Sequence, residues 1–300
     1  MRPPKQAMAI LAVVALLVAA CVARAQGTPE AGPPRIAVIT PLATALNDPG
    51  AMSAAVDTDA LSLRIGKATA EAAGQGAKIS VTVLDRVTGQ ELTNDSGHTL
   101  ATASVVKLFI ADDLLLRESE GGPALSPQDR AALDVMLRSS DDDAAERFWS
   151  AGGGDAIVTR VAARYGLAST GPGSDGRWWN TISTTSDLVR YYEMLLGGAG
   201  GLPPAQTGII MDDLARSTPT GIDGYPQRFG IPEGLYNEPV SVKQGWMCCI
   251  GNDWMHLSTG VIGAQQRYAV AIESLQPSDE ATARRTITEA VKTIFPGGRI

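Results

Sequence analysis

Ser104-Val105-Val106-Lys107-Leu108-Phe109-Ile110-Ala111-Asp112-Asp113-Leu114-Leu115-Leu116 is the stretch on which the fold turns. From Val105 to Leu116 apolar residues occupy nearly every side of a helical period, the pattern of a helix buried in the middle of a protein. Ser104 stands at its start and Lys107 one turn later. Positions i and i+3 share a helix face, so this spacing can bring the Ser104 hydroxyl to the Lys107 ammonium. Two readings of Ser104 stay open on these residues alone. It is an N-cap placed before an apolar run, or a nucleophile beside a lysine whose desolvation lets it act as a base.

Working outward, Leu61, Ile65, Ala68 and Ala72 have the spacing of an amphipathic first helix over residues 60–73. Ile79, Val81, Val83 and Leu84 predict a strand, Val87-Thr88-Gly89-Gln90 a turn, and Glu91-Leu92-Thr93 the start of the return strand. Residues 126–160 predict more helix, opened by Ser126-Pro127-Gln128-Asp129 with proline at the first helical position. A Gly/Pro/Trp-rich loop over residues 171–180 follows, then a helix capped by Thr185 or Ser186 and running to about Leu196. Val240-Ser241-Val242, Trp254 to Ile262 and Tyr268 to Leu275 predict three strands. Ser278 opens a last helix to about Ile294, stopped by Pro296-Gly297-Gly298. This order implies an α+β fold: an antiparallel sheet flanked by the N- and C-terminal helices, with an all-helical lobe. No internal repeat is visible.

Two further short motifs follow Ser104-Val105-Val106-Lys107 in the chain, Ser140-Asp141-Asp142 and Lys243-Gln244-Gly245. In this order the three resemble the S-x-x-K, S-D-N and K-T-G triplet of the class A β-lactamase and penicillin-binding (D,D-peptidase) superfamily. The resemblance covers about residues 60–296 and implies a serine acyl-enzyme hydrolase that uses no histidine. It makes Ser104 the nucleophile, Lys107 its base and Ser140 a proton shuttle facing Ser104 across a cleft. It places Asp142, Lys243, Gln244, Gly245 and Trp246 around the substrate. There the Lys243 ammonium would hold a carboxylate and Gly245 would let substrate approach the backbone. The N–H groups of Ser104 and Trp246 would form the oxyanion hole. A plainer reading of Ser140 to Asp143 is an acidic helix start. Ser140 follows Ser104 by fewer residues than is usual in the family, so a connecting strand and loop beside the cleft are expected to be missing.

The chain departs from the family pattern at three places. Asp142 replaces an amide with a carboxylate, and an anion beside Lys107 is expected to raise that lysine's pKa. Gln244 removes a hydroxyl. The deacylation signature E-x-x-L-N is absent, because Gly176-Arg177-Trp178-Trp179-Asn180 holds glycine where the glutamate belongs. Slow release of any acyl-enzyme is therefore expected. Trp178 and Trp179 are read either as cleft walls or as hydrophobes that anchor a loop.

Residues 1–25 read as a signal peptide. Arg2 and Lys5 precede an apolar run of about 14 residues, too short for a membrane span of about 20. Val18-Ala19-Ala20-Cys21 reads as a lipobox that would lipidate Cys21, with Ala23-Arg24-Ala25 as the alternative cleavage site of a secreted protein. Residues 26–58 read as a flexible tether and residues 59–300 as the β-lactamase/transpeptidase-like domain. Cleavage ahead of Cys21 would remove two cations and no acid, taking the formal net charge of −7 further negative. Scattered Lys and Arg argue against nucleic acid as a partner. Cys248 and Cys249 are adjacent, a spacing below the usual disulfide range, and are expected to be buried thiols on opposite faces of a strand. Two histidines, no G-x-S-x-G elbow and no metal or nucleotide motif leave no support for a Ser-His-Asp hydrolase, a metal or a cofactor. The expected protein is an exported monomer anchored to the outer face of the cell membrane by lipid. Its substrates are β-lactam-like amides or cell-wall peptides. The alternative is a non-catalytic binding or scaffold lipoprotein with the same fold.

Overall fold

Helix α1 (Thr58–Gly74) leads into the strand pair β1 (Lys78–Asp85) and β2 (Gln90–Thr93). The computed structural model describes residues 57–94 and 97–300, so the signal peptide, Cys21 and nearly all of the tether lie outside the described residues. A two-residue strand β3 (Leu100–Ala101) and a single 3-10 turn (Ala103–Val106) precede the central helix α2 (Lys107–Ser119). Helices α3 (Pro127–Arg138), α4 (Asp142–Gly152) and α5 (Ala156–Tyr165) build the helical lobe. The chain returns through β4 (Ile182–Ser183), α6 (Thr185–Leu196), α7 (Pro204–Ala215) and the single turn α8 (Ile231–Gly234). It ends with β5 (Val240–Ile250), β6 (Asp253–Ile262), β7 (Tyr268–Gln276) and α9 (Glu280–Ile294).

The main sheet has five strands in the order β2-β1-β7-β6-β5, and every pairing is antiparallel. Both faces are covered, and β7 shows how its sequence meets that demand. Val270 and Ile272 point to a core shared with Leu61 and Ile65 of α1 and Ile287 and Val291 of α9. Ala269 and Ala271 point the other way, into a core built with α2 and the helical lobe. That is the two-residue period of a strand serving two layers. Leu108, Phe109, Ala111 and Leu115 of α2 have no exposed surface, in keeping with the all-round apolar pattern. The fold is thus α+β, with the terminal helices on one face of an antiparallel sheet and the helical lobe on the other.

Local signals hold at most element ends. Leu61, Ile65, Ala68 and Ala72 are the buried residues of α1. Ser126 and Asp129 form a reciprocal capping box at the start of α3, with Pro127 at its first position. Two caps move by one residue: Thr184 rather than Thr185 or Ser186 caps α6, and Asp279 rather than Ser278 caps α9. In each case the side-chain oxygen that reaches the third backbone N–H belongs to the earlier or later neighbour. Only α3 lies between α2 and α4, with no strand in that connection.

The cysteines overturn their expectation. Cys248 and Cys249 are exposed and joined to each other by a disulfide, across a cis peptide, with Cα atoms 3.0 Å apart. The pairing of β5 with β6 shifts register between Met247 and Ile250, at the turn end of the hairpin. Regular alternation across a buried strand, on which the buried-thiol reading rested, does not reach these residues. Among the described residues no helix is long and apolar enough to cross a membrane, and no cluster of His, Cys, Asp and Glu could hold a metal.

Candidate active site

The turn at Ala103–Val106 carries Ser104. In a 3-10 turn residues three apart eclipse each other, which is tighter alignment than an α-helix gives. Lys107 Nζ accordingly donates to Ser104 Oγ at 2.9 Å. Ser104 is not a cap: Val106 holds the N-cap position of α2 and makes no side-chain capping bond. Backbone geometry is unusual on both sides of the site, since Ala103 has φ +43° and Ser140 φ +59°. Non-glycine residues are uncommon there, and such conformations gather where surrounding structure holds functional groups in place.

Ser140 meets Lys107 from the second motif. Asp141, not Ser140, caps α4 by accepting from the Ala144 N–H, so the acidic helix start and the placement of Ser140 coexist. Lys107 Nζ also donates to Ser140 O at 2.7 Å and lies 3.2 Å from Ser140 Oγ. Lys243 from β5 donates to the same hydroxyl at 2.9 Å. Ser104, Lys107, Ser140 and Lys243 therefore form one hydrogen-bonded chain, and all four are buried.

Burial is the largest influence on the pKa of both lysines. Desolvation pulls the Lys107 pKa below its ordinary value, and the opposing pull of Asp142 comes second. Asp142 does pull the pKa upward, as expected, but burial outweighs it and the net shift is downward. Asp142 Oδ1 does accept from Lys107 Nζ at 2.5 Å, but its side chain is 70% exposed, so water screens much of the attraction. Lys243 is held further below its usual range by its own burial and by the charge of Lys107.

Gly245 is glycine because of the chain's own backbone. A Cβ there would stand 2.6 Å from the Thr102 carbonyl oxygen, so only glycine lets β5 pass this close to the turn that carries Ser104. Gln244 faces inward, its amide donating to Phe229 O at 2.6 Å and Gln227 O at 3.2 Å. It tethers the segment before β5 and is not part of the cleft wall.

In front of the serine lies a cavity of about 240 Å³, lined by Ser104, Asp142, Trp178, Trp179, Asp223 and Trp246 together with Ala103, Met247 and Cys248. The two loop tryptophans thus do both things that sequence left open. Trp178 is buried, donates its indole N–H to Glu146 and places its ring 4.8 Å from Lys107 Nζ. The β3–β4 pairing and the bond from Thr102 N–H to Thr181 O fix this loop against the serine turn. Asp175 turns to Asn180 and the Arg177 N–H and does not line the cavity, and Gly176 has φ +72° with open space around it. The acids that do line it are Asp142 and Asp223. Asp223 was not foreseen: it sits in an irregular segment whose Gly221-Ile222-Asp223-Gly224 carries only a turn signal. His256 is buried under the Tyr225 hydroxyl, its pKa pushed down to about 3 by burial, away from the cavity.

The fold recurs in solved structures. The extended-spectrum β-lactamase TLA-1 superposes with a TM-score of 0.64 at 15% identity, covering 79% of this chain and 97% of that one. PBP-A superposes at 0.63 with 16% identity over 78% and 94% of the two chains. A β-lactamase from Chitinophaga pinensis gives 0.62 with 14% identity over 77% and 97%. These similarities establish the β-lactamase/D,D-peptidase-like fold. No protein-family model matches the chain. Proteins named "Putative lipoprotein LppW", from Mycobacterium tuberculosis and Mycobacterium bovis, are 59% identical over all of this chain and 99% of their own length.

Proposed function

The chain belongs to the family of LppW, and from that membership and its cleft we propose a lipid-anchored serine acyl-enzyme hydrolase of the β-lactamase/D,D-peptidase type. One observation supports this above the rest: the buried chain of hydrogen bonds Ser104–Lys107–Ser140–Lys243 opening on a cavity. Substrates are β-lactam-like amides or cell-wall peptides. Ser104 Oγ attacks the carbonyl carbon while its proton passes to Lys107 Nζ. Ser140 then delivers its proton to the leaving group as the bond to the carbonyl carbon breaks, and takes in its place the proton held on Lys107 Nζ. The N–H groups of Ser104 and Trp246 receive the developing oxyanion, where one good donor is worth about 3 kcal/mol. Lys243 keeps the Ser140 hydroxyl oriented. With no acid at Gly176, water attack on the acyl-enzyme is slow; a general base typically contributes about 100- to 10,000-fold.

Treatment with a β-lactam or an activated ester, followed by intact-mass spectrometry, tests the assignment. One adduct is expected on the wild type, lasting minutes or longer, and none on Ser104→Ala. An adduct on Ser104→Ala, or none on either protein with either reagent, overturns it. Export and anchoring rest on Cys21 in a lipobox and on the relatives' name. Cys21→Ala should move the protein from the membrane fraction to the soluble one; a wild type already soluble would leave the secreted alternative. The Lys107–Asp142 ion pair favours a second reading, a binding lipoprotein that has kept the fold without turnover.

A further inference from the structure

A substrate's charge must suit the wall that it meets, and this wall is acidic and aromatic. Among the residues lining the cavity there are two aspartates and three tryptophans, and no lysine, arginine or histidine. The two lysines of the site lie beneath that surface, with exposures of 0% and 1%. Asp142 is already paired with Lys107. Asp223 is not paired in this way: its carboxylate accepts the Tyr225 N–H at 2.9 Å, and it forms no ion pair among the described residues.

The surroundings of Asp223 are built rather than incidental. A Cβ on Gly221 would stand 2.6 Å from Asp223 Oδ1 and 3.5 Å from the Trp246 ring, so the carboxylate and the indole both approach the same glycine. Trp246 is in turn held by a stacked Tyr225 ring, 4.5 Å away and 9° from parallel. The other two indoles already carry cations of this chain, Lys107 over Trp178 and Arg177 over Trp179. Aromatic faces beside a carboxylate are the recognition chemistry of ammonium groups. The Gln244 amide is spent on Phe229 and Gln227, so that residue offers a substrate carboxylate nothing.

We propose that the cleft selects acyl donors bearing an ammonium group close to the scissile carbonyl, held between the Asp223 carboxylate and the Trp246 ring. The inference deepens the acyl-enzyme reading and rests on Ser104 as the nucleophile. In the productive encounter Ser104 Oγ bonds to the carbonyl carbon and the bond to the leaving group breaks. The serine proton leaves through Lys107, and the ammonium is unchanged throughout.

Three nitrophenyl esters separate the possibilities: γ-trimethylammonio-butyrate, the same chain ending in tert-butyl, and glutarate. The first two share shape and differ in charge, and the third reverses the charge. Acylation of Ser104 is followed by nitrophenolate release and intact mass. The ammonium ester should react about tenfold faster than its tert-butyl isostere, and the glutarate ester slowest, with the preference weakened by salt. In Asp223→Asn the ratio of ammonium to tert-butyl rates should fall to within about twofold. Equal rates for the three esters in the wild type, or an undiminished ratio in Asp223→Asn, overturn the proposal and leave the acyl-enzyme reading intact. If no ester acylates Ser104, that reading fails instead. Tryptophan fluorescence then still decides the charge preference, because benzyltrimethylammonium should quench at lower concentration than benzoate. Equal or reversed potency overturns it.

Discussion

Two opposing forces act on the Lys107 ammonium, and their relative size sets when the base is ready. Loss of water around the buried ammonium disfavours the charge, and Asp142 favours it from the solvent side. Burial wins, so the lysine titrates below its ordinary range even with the carboxylate in place. Removing that carboxylate removes the largest counterweight and leaves the weaker pulls of Asp141 and Asp223. Asp142→Asn should therefore lower the Lys107 pKa further and shift the acid limb of the acylation profile to lower pH. At neutral pH acylation should become a few-fold faster, while release stays slow because Gly176 is untouched. A pH series of acyl-enzyme formation, read by mass, checks this. An acid limb that stays in place, or slower acylation at every pH, would mean that Asp142 serves the substrate rather than the base.

Among the elements, β5 and the Ser104 turn are coupled by one missing methyl group. A Cβ at Gly245 would press on the Thr102 carbonyl oxygen, which is backbone, hydrogen-bonded within the turn to Val105 N–H, and cannot swing aside as a side chain could. Gly245→Ala should destabilise the protein by about 1–3 kcal/mol and slow acylation by moving Ser104 relative to Lys107. Thermal melting together with the acylation rate tests it; an unchanged rate in a protein of unchanged stability would show that strand and turn can separate freely. Where the physics is local, the sequence was legible. The i, i+3, i+4 spacing of α1, the capping box of α3 and the apolar run of α2 each report on neighbours within a few residues. Helices α7 and α8 were not foreseen. Neither has a side-chain cap, and α8 is only a single turn, so neither announces itself. The site was legible where motifs carry it, at Ser104, Lys107, Ser140 and Lys243, which the fold brings together from three distant segments. Asp223, the inward turn of Gln244 and the role of Gly245 were not, because each depends on a partner that only the tertiary structure supplies. The cysteine pair failed for the same reason, since a register shift in β5 altered the alternation assumed for it.

Across the whole molecule, the proposed site sets a buried amine against stability at Lys243. Its ammonium is buried, with a serine hydroxyl and a backbone carbonyl as hydrogen-bond partners and, among the described residues, no ion-pair partner. The folded-state pKa lies well below the ordinary lysine value of 10.5, so between the two the unfolded chain binds more protons than the folded one. Stability must then rise with pH through that window, and the full penalty is present below the folded-state pKa. Lys243→Met keeps most of the side-chain volume and removes the charge. Ser140 keeps Lys107 Nζ as a hydrogen-bond partner at 3.2 Å, so its hydroxyl is not orphaned. Near neutral pH the variant should melt higher, by about 2–4 °C for each kcal/mol of penalty removed in a domain of this size. The gain should shrink toward pH 10.5, where the lysine is neutral in the folded protein and half neutral in the unfolded chain. Acylation should be lost at the same time, because nothing then orients the Ser140 hydroxyl from the sheet side. Calorimetric melts at the two pH values, with mass-spectrometric acylation alongside, provide the check. A melting point that falls at neutral pH would mean that Lys243 holds the sheet to the helical lobe, and that the site carries no stability penalty there.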